Sequence, residues 1–269
     1  MKKRKLLTLM AAAAGVTAYL VAPERPTPEK AEPFYGRNFA HRGLYTKDGV
    51  TPENSLPAFR AAAKMGYGVE LDVRLSKDNK VIVFHDENLK RLCGVDKYVE
   101  SLTYEELSGL YLCGTEYKIP LLTEVLSELD GAPVIVEVKR GHNNKLLCAM
   151  TMGIMRKYKG PFCVESFDPF IVTWFKNHAP DVLRGQLSKQ RKELKELDTF
   201  MGFVLSRLLT NVSARPNFIA YRIGKKPLTV KLCEKMGAMK FAWTARDSSE
   251  EADSDAVIFE HFLPNVRFK

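Results

Sequence analysis

From Asn38 onward, short β-rich apolar runs alternate with stretches whose apolar residues recur at helical spacing. Strand-like runs fall at 38–40, 69–73, 134–139, 162–167, 183–187, 218–221, 240–244 and 256–260, and helical patterns between them include 55–65, 145–157 and 229–236. Strands alternating with helices predict parallel strands joined by helical crossovers, and eight such runs match a closed (β/α)8 TIM barrel, an α/β fold. A ninth run, 81–85, breaks the rhythm. Only residues 76–80 separate it from the second strand, too few for a parallel crossover, so the pair is predicted to be a hairpin turning near Asp78-Asn79. That turn returns His85 to the level of Asp72–Arg74, and residues 86–120 become a small insertion over the barrel mouth.

The chain before the barrel follows a different pattern. Lys2, Lys3, Arg4 and Lys5 precede an uncharged run from Leu6 to Ala22. As a helix this run would span ~26 Å, close to the hydrocarbon thickness of a bilayer. A cleavage site needs small residues at the last and third-last positions before the cut, and Tyr19, Leu20 and Pro23 around Ala22 do not supply them. Residues 1–22 are therefore read as a signal-anchor transmembrane helix, single-pass, with the basic end in the cytoplasm and the barrel on the extracytoplasmic side. Secretion after cleavage is the alternative. Residues 23–36, with Pro23, Pro26 and Pro28, read as a stiff, extended linker, and 37–269 as the barrel domain.

Charge and cysteines change this picture little. The four basic residues at the start supply part of the net charge of +9, leaving +5 spread thinly over the rest of the 269 residues. No basic run alternates with aromatics, so no nucleic-acid partner is expected. Cys93, Cys113, Cys148, Cys163 and Cys233 are odd in number and lack CxxC spacing, which argues against both a disulfide framework and a zinc site.

The candidate chemistry lies at strand ends. Positions two apart in a strand point to one face, so Glu70 and Asp72 aim together, as do Glu137 and Lys139. Glu70, Asp72 and Glu137 can hold one hard cation, Mg2+ or Ca2+, through oxygen ligands. Arg42 and Lys139 could neutralise the rest of a phosphodiester's charge. His41 and His85 bracket the carboxylates and suit a general acid and a general base. Glu53 either caps the helix opening near Asn54-Ser55, the reading we favour, or touches substrate. Trp243 is wall or core, or lines a substrate pocket, while His142, His178 and His261 have no spacing partner and read as surface or structural.

Taken in order, His41-Arg42-Gly43, Pro52-Glu53-Asn54-Ser55, Glu70-Leu71-Asp72-Val73, Val83-Phe84-His85-Asp86 and Val136-Glu137-Val138-Lys139 resemble the glycerophosphodiester phosphodiesterase family. Phe218-Ile219-Ala220-Tyr221 and Trp243-Thr244 continue the match more loosely. The resemblance implies a (β/α)8 barrel with a small insertion and metal-dependent hydrolysis of glycerophosphodiesters to an alcohol and glycerol 3-phosphate. It also implies His41 and His85 as acid and base, and Glu70, Asp72 and Glu137 on the metal. Two stretches depart from the family pattern, Glu165-Ser166-Phe167 and Glu260-His261-Phe262, and both are expected to bear on which alcohol is accepted. A lysophospholipase D acting on lysolipids would use nearly the same residues. A metal-independent phosphoinositide phospholipase C would replace the metal with arginine, which the Glu70, Asp72, Glu137 trio argues against, and a catalytically silent, membrane-tethered binding barrel would not keep acid, base and metal ligands together.

Overall fold

The computed structural model describes residues 2–194 and 198–269. Among them the strands are β1 (Arg37–His41), β2 (Gly68–Leu75), β3 (Val81–Val83), β4 (Val134–Val138), β5 (Phe162–Ser166), β6 (Leu183–Ser188), β7 (Phe218–Arg222), β8 (Met239–Ala245) and β9 (Ala256–Phe259). Eight of them pair in parallel around a closed circuit, β1–β2–β4–β5–β6–β7–β8–β9, and β9 returns to β1. This is the expected (β/α)8 barrel, and β3 stands outside the circuit, antiparallel to β2.

Alternation along each strand divides the apolar residues between two faces. Val69, Leu71, Val73, Val134, Val136, Val138 and Val164 pack outward under helices such as Leu56–Lys64 and Asn144–Met155. Phe39, Ile135, Cys163, Phe218, Phe241 and Ile258 fill the interior. The interior is tightly filled. A Cβ at Gly185 would collide with the Phe218 ring, so glycine there makes room for the aromatic. Phe34 closes the base of the barrel, stacked on Phe39 with ring centroids 5.9 Å apart.

The β2–β3 hairpin turns at Asn79, which takes a left-handed conformation (φ 61°). The Ser76 N–H donates to the Lys80 carbonyl, and register then sets Val73 against Val83. One step further the Phe84 N–H donates to the Asp72 carbonyl at 2.9 Å, leaving His85 beside the carboxylates of β2. The insertion beyond it has its own core, with Leu89, Leu92, Val99, Leu107 and Ile119 packed against Ile82 and Phe84.

The N-terminal helix, Lys2–Val21, is long and apolar enough to cross a membrane over Arg4–Val21, with 6% of that window buried. Its last turn is part of the barrel. Val21 is fully buried in the cluster that includes Leu208, Ile219, Tyr221 and Val230. Arg215 donates to the carbonyls of Tyr19 (2.7 Å) and Ala22 (3.0 Å), and Asn211 donates to that of Val21. These side chains satisfy acceptors that a helix end leaves open.

Residues 23–36, expected as an extended linker, instead cross the base of the barrel in contact with it. The Glu24 N–H donates to the Pro216 carbonyl, the Glu24 carboxylate meets the fully buried Arg184 guanidinium at 2.6 Å, and Arg25 donates to the Met236 carbonyl. A helical turn, Pro28–Ala31, then leads to Phe34. The physical reason is that the strand starts present a buried cation and open aromatic rings, and this segment supplies the carboxylate and the cover.

Glu24→Ala should therefore cost about 1–3 kcal/mol, because a charged hydrogen bond to a buried cation is lost. Urea unfolding checks this. A chain begun at residue 19 should match the full chain's midpoint, and one begun at residue 31 should unfold earlier.

Candidate active site

The site is built where the C-terminal ends of β1, β2, β4 and β9 converge with the β2–β3 hairpin. Glu70, Asp72 and Glu137 are buried, and each offers a carboxylate oxygen lying within 4.8 Å of the others. Adjacent strands set this spacing: Asp72 pairs in register with Glu137, and His41 with Glu70.

Two cations, one just after β1 and one just after β4, lie against the carboxylates. Lys139 Nζ donates to Glu137 Oε1 at 2.7 Å and sits 2.9 Å from Asp72 Oδ1. Arg42 reaches back through a left-handed turn (φ 55°) followed by Gly43 (φ 81°). A Cβ at Gly43 would lie 2.7 Å from the Ala58 carbonyl carbon, so only glycine lets this loop pass the helix Leu56–Lys64. The Arg42 N–H donates to Glu70 Oε2 at 3.1 Å, and its Nε lies 3.2 Å from Asp72 Oδ2. Asn54 Nδ2 donates to that same Asp72 oxygen at 2.8 Å.

Electrostatics divide the carboxylates. Burial, then repulsion from Asp72 and Glu137, pushes Glu70 well above the usual range. Burial also opposes ionisation of Asp72, but Lys139, His85, Arg42 and Asn54 outweigh it and hold that group well below its ordinary value. Lys139 stays charged, since Asp72 and Glu137 more than offset the cost of its burial. Fully ionised, the three carboxylates would outnumber the two fixed cations in a desolvated place, which is why Glu70 is driven toward its protonated form. The set fits one divalent cation, which could be bound by these oxygens.

Both histidines are held in the same way. His41 Nδ1 lies 2.9 Å from Glu260 Oε2, and Glu260 is gripped by Arg246 at 2.9 and 2.6 Å and by the Tyr45 hydroxyl at 2.8 Å. His85 Nδ1 lies 2.6 Å from Asp86 Oδ1, and Asp86 is gripped by Arg91 at 2.6 and 3.1 Å. Burial would raise Glu260 and Asp86, but hydrogen bonds from the histidine and the arginine hold both well below the carboxylate range. An ionised carboxylate only accepts, so each Nδ1 carries a proton and each Nε2 is the atom left outside that contact. Burial lowers the His41 pKa against the pull of Glu260, which keeps the ring neutral at pH 7.

The structure thus brings together His41, His85, Glu70, Asp72, Glu137, Arg42 and Lys139. Glu53 does not cap the helix. Its carboxylate joins Arg42 (2.7 Å) to Arg91 (2.8 Å at each oxygen), because two guanidinium groups lie within its reach. Trp243 stands on β8, donating to the Ala220 carbonyl and packed edge-on against Phe167. His142, His178 and His261 lie outside the site, paired with Glu100, stacked on Trp174 and packed against Tyr45.

Sequence reasoning missed Glu260, Arg246, Asp86, Arg91 and Asn54 as working parts. Glu260 was associated with the choice of alcohol, yet its carboxylate is spent on His41. A carboxylate at the end of the last barrel strand was a usable signal, since barrel sites draw on every strand end. Arg91 gave no such signal, because it acts from the insertion. Glu165 was also associated with the alcohol. It lies instead beneath the triad, level with Glu137 on the next strand, with its Oε2 buried and without a hydrogen-bond partner.

Residues 41–261 match the model of the glycerophosphoryl diester phosphodiesterase family, and the chain belongs to that family. A lysophospholipase D of Rattus norvegicus is 34% identical over 160 residues, covering 54% of this chain and 49% of that protein. The chain spans about half the length of the first curated relatives it matches. Among solved structures, a glycerophosphodiester phosphodiesterase from Thermotoga maritima superposes with a TM-score of 0.62 at 28% identity, covering 82% of this chain and 93% of that one. A phosphodiesterase from Oleispira antarctica, solved with the product sn-glycerol-3-phosphate, shares the fold with a TM-score of 0.67 at 22% identity, over 85% and 94% of the two chains.

If the triad binds a divalent cation, Mg2+ or Ca2+ should raise the melting temperature of chelator-treated protein. Saturation at 100 times Kd corresponds to about 2.7 kcal/mol. In Asp72→Asn the rise should shrink markedly, and equal melting of the wild type with and without metal would exclude the site.

Proposed function

We propose that this chain is a metal-dependent phosphodiester hydrolase that cleaves glycerophosphodiesters to an alcohol and glycerol 3-phosphate. The observation that carries the reading is the pair of histidines, each held at Nδ1 by a carboxylate, flanking an acidic triad backed by Arg42 and Lys139. Glu70, Asp72 and Glu137 would hold one Mg2+ or Ca2+, which when bound draws electron density from the phosphoryl group. Arg42 and Lys139 bind the phosphoryl oxygens, and Glu53 steadies Arg42 for that task. One histidine accepts the proton of the attacking water at Nε2. The other, entering the cycle as imidazolium, gives its Nε2 proton to the leaving alkoxide. Glu260 and Asp86 fix the ring orientations and favour the charged form when it is needed. Trp243 forms part of the wall against which the glycerol moiety rests.

We further infer that the protein is held in a membrane by its N-terminal helix. The exposed apolar helix supports a retained single-pass anchor with the barrel on the extracytoplasmic side, and the burial of Val21 argues against release by cleavage after Ala22.

With glycerophosphocholine as substrate and Mg2+ or Ca2+ present, the enzyme should release choline and glycerol 3-phosphate. His41→Ala and His85→Ala should each lower kcat by about 10²–10⁴-fold with circular dichroism unchanged. Glu260→Gln and Arg91→Met, which leave the rings in place but unsteadied, should lose about 10–100-fold. If neither cation supports release from any glycerophosphodiester, the hydrolase reading fails and a silent binding barrel takes its place.

A further inference from the structure

Spacing argues against a disulfide framework, yet the insertion brings two of the five cysteines together. All five are free thiols; Cys148, Cys163 and Cys233 are buried, whereas Cys93 is partly buried and Cys113 exposed. Cys93 is the last residue of the helical turn Lys90–Cys93, which ends at Gly94 in the left-handed conformation (φ 71°). A helix end leaves carbonyls open, and the one at Leu92 accepts from the Cys113 N–H at 2.6 Å. Cys113 reaches it from a tight turn in which the Thr115 N–H returns to the Leu112 carbonyl, and is itself left-handed (φ 51°). Across one peptide oxygen and a hydrogen bond of that length, standard bond dimensions keep the Cα atoms of Cys93 and Cys113 within about 7 Å. Disulfides join Cα atoms roughly 4.4–6.8 Å apart. The thiols also sense one another: burial, then the neighbouring Cys113, pushes the Cys93 thiol up to about 11.

We propose that Cys93 and Cys113 are a site of thiol–disulfide exchange, a pair that closes into one bridge within the insertion. The co-reactant is a low-molecular-weight disulfide such as oxidised glutathione. The exposed Cys113, as thiolate, attacks one sulfur of that reagent, forming a mixed disulfide and releasing one thiolate. The Cys93 thiolate then attacks the Cys113 sulfur and expels the second. The protein loses two electrons and two protons, and the reagent gains them as two thiols. Cys148, Cys163 and Cys233 take no part, because each is buried in a different cluster of the barrel. The bridge acts on what lies beside it. Arg91, two residues before Cys93, holds both Asp86 and Glu53, and the four-residue helix that carries it has little stability of its own. Tying the end of that helix to the 112–115 turn fastens the backbone from which Arg91 reaches. In an oxidising compartment the bridge persists, and in a reducing one it opens.

The test uses the full chain in phosphatidylcholine nanodiscs, treated with oxidised glutathione or with dithiothreitol. Burial raises both thiols, so a mildly alkaline buffer supplies the thiolates. Alkylation followed by non-reducing digestion and mass spectrometry should show one bridge, between Cys93 and Cys113, with the three buried cysteines alkylated only after unfolding. The oxidised protein should melt roughly 5–10 °C above the reduced one. Its amides at 89–93 should exchange hydrogen about tenfold more slowly. The Cys93→Ser, Cys113→Ser double variant should melt like the reduced wild type and respond to neither reagent. Free thiols at both positions after oxidation, a glutathione adduct on Cys113 without a bridge, or pairing with any other cysteine would overturn the proposal. So would a bridge that leaves melting and exchange unchanged. None of these readouts requires hydrolysis, so the outcome stands apart from that of the hydrolase reading.

Discussion

Three carboxylates brought within 4.8 Å of one another in a buried place are the constraint around which the rest of the site is arranged. Like charges at that distance, away from water, resist joint ionisation. The fold answers with Arg42 from the turn after β1, with Lys139 from just beyond the strand that carries Glu137, and with the Asn54 amide. These contacts keep Asp72 ionised while Glu70 is driven toward its neutral form. With Glu70 holding a proton, the two remaining carboxylates balance the two cations, and a hard cation bound there would displace that proton.

The positioning of the histidines follows a second, related logic. Each imidazole is tied at Nδ1 to a carboxylate, and each carboxylate is tied to an arginine. One arrangement belongs to the barrel, through β9 and Arg246, and the other to the hairpin and the insertion, through Asp86 and Arg91. Arg91 also reaches Glu53, which holds Arg42. One residue of the insertion thus links the supports of His85 to those of Arg42, so the excursion over the mouth is part of the site and not an ornament on it.

At the opposite end, the segment before β1 is bound into the base by Glu24, Phe34 and Val21. A helix whose last turn is buried in the barrel cannot swivel freely about a linker. Whatever plane the exposed part of that helix occupies, the orientation of the barrel mouth relative to it is restricted.

The sequence alone determined the barrel, because eight β-rich runs separated by helical patterns leave little choice of topology, and because five residues between 75 and 81 force a hairpin. Alternation along the chain also pairs Glu70 with Asp72 and Glu137 with Lys139 on one face each, and the motif order sets His41, Arg42 and His85 beside them as candidates. What the sequence did not determine are partnerships between residues distant in the chain. Glu260 with His41, Arg91 with Glu53, and Glu24 with Arg184 are separated by 219, 38 and 160 positions, and no local pattern encodes such pairs. Local periodicity sets which face a side chain takes, whereas barrel closure and the packing of the insertion set what that face meets. The role of Glu53 shows the difference. Its position at a helix start suggests a cap, and only the arrival of two guanidinium groups from elsewhere in the fold makes it a bridge between them.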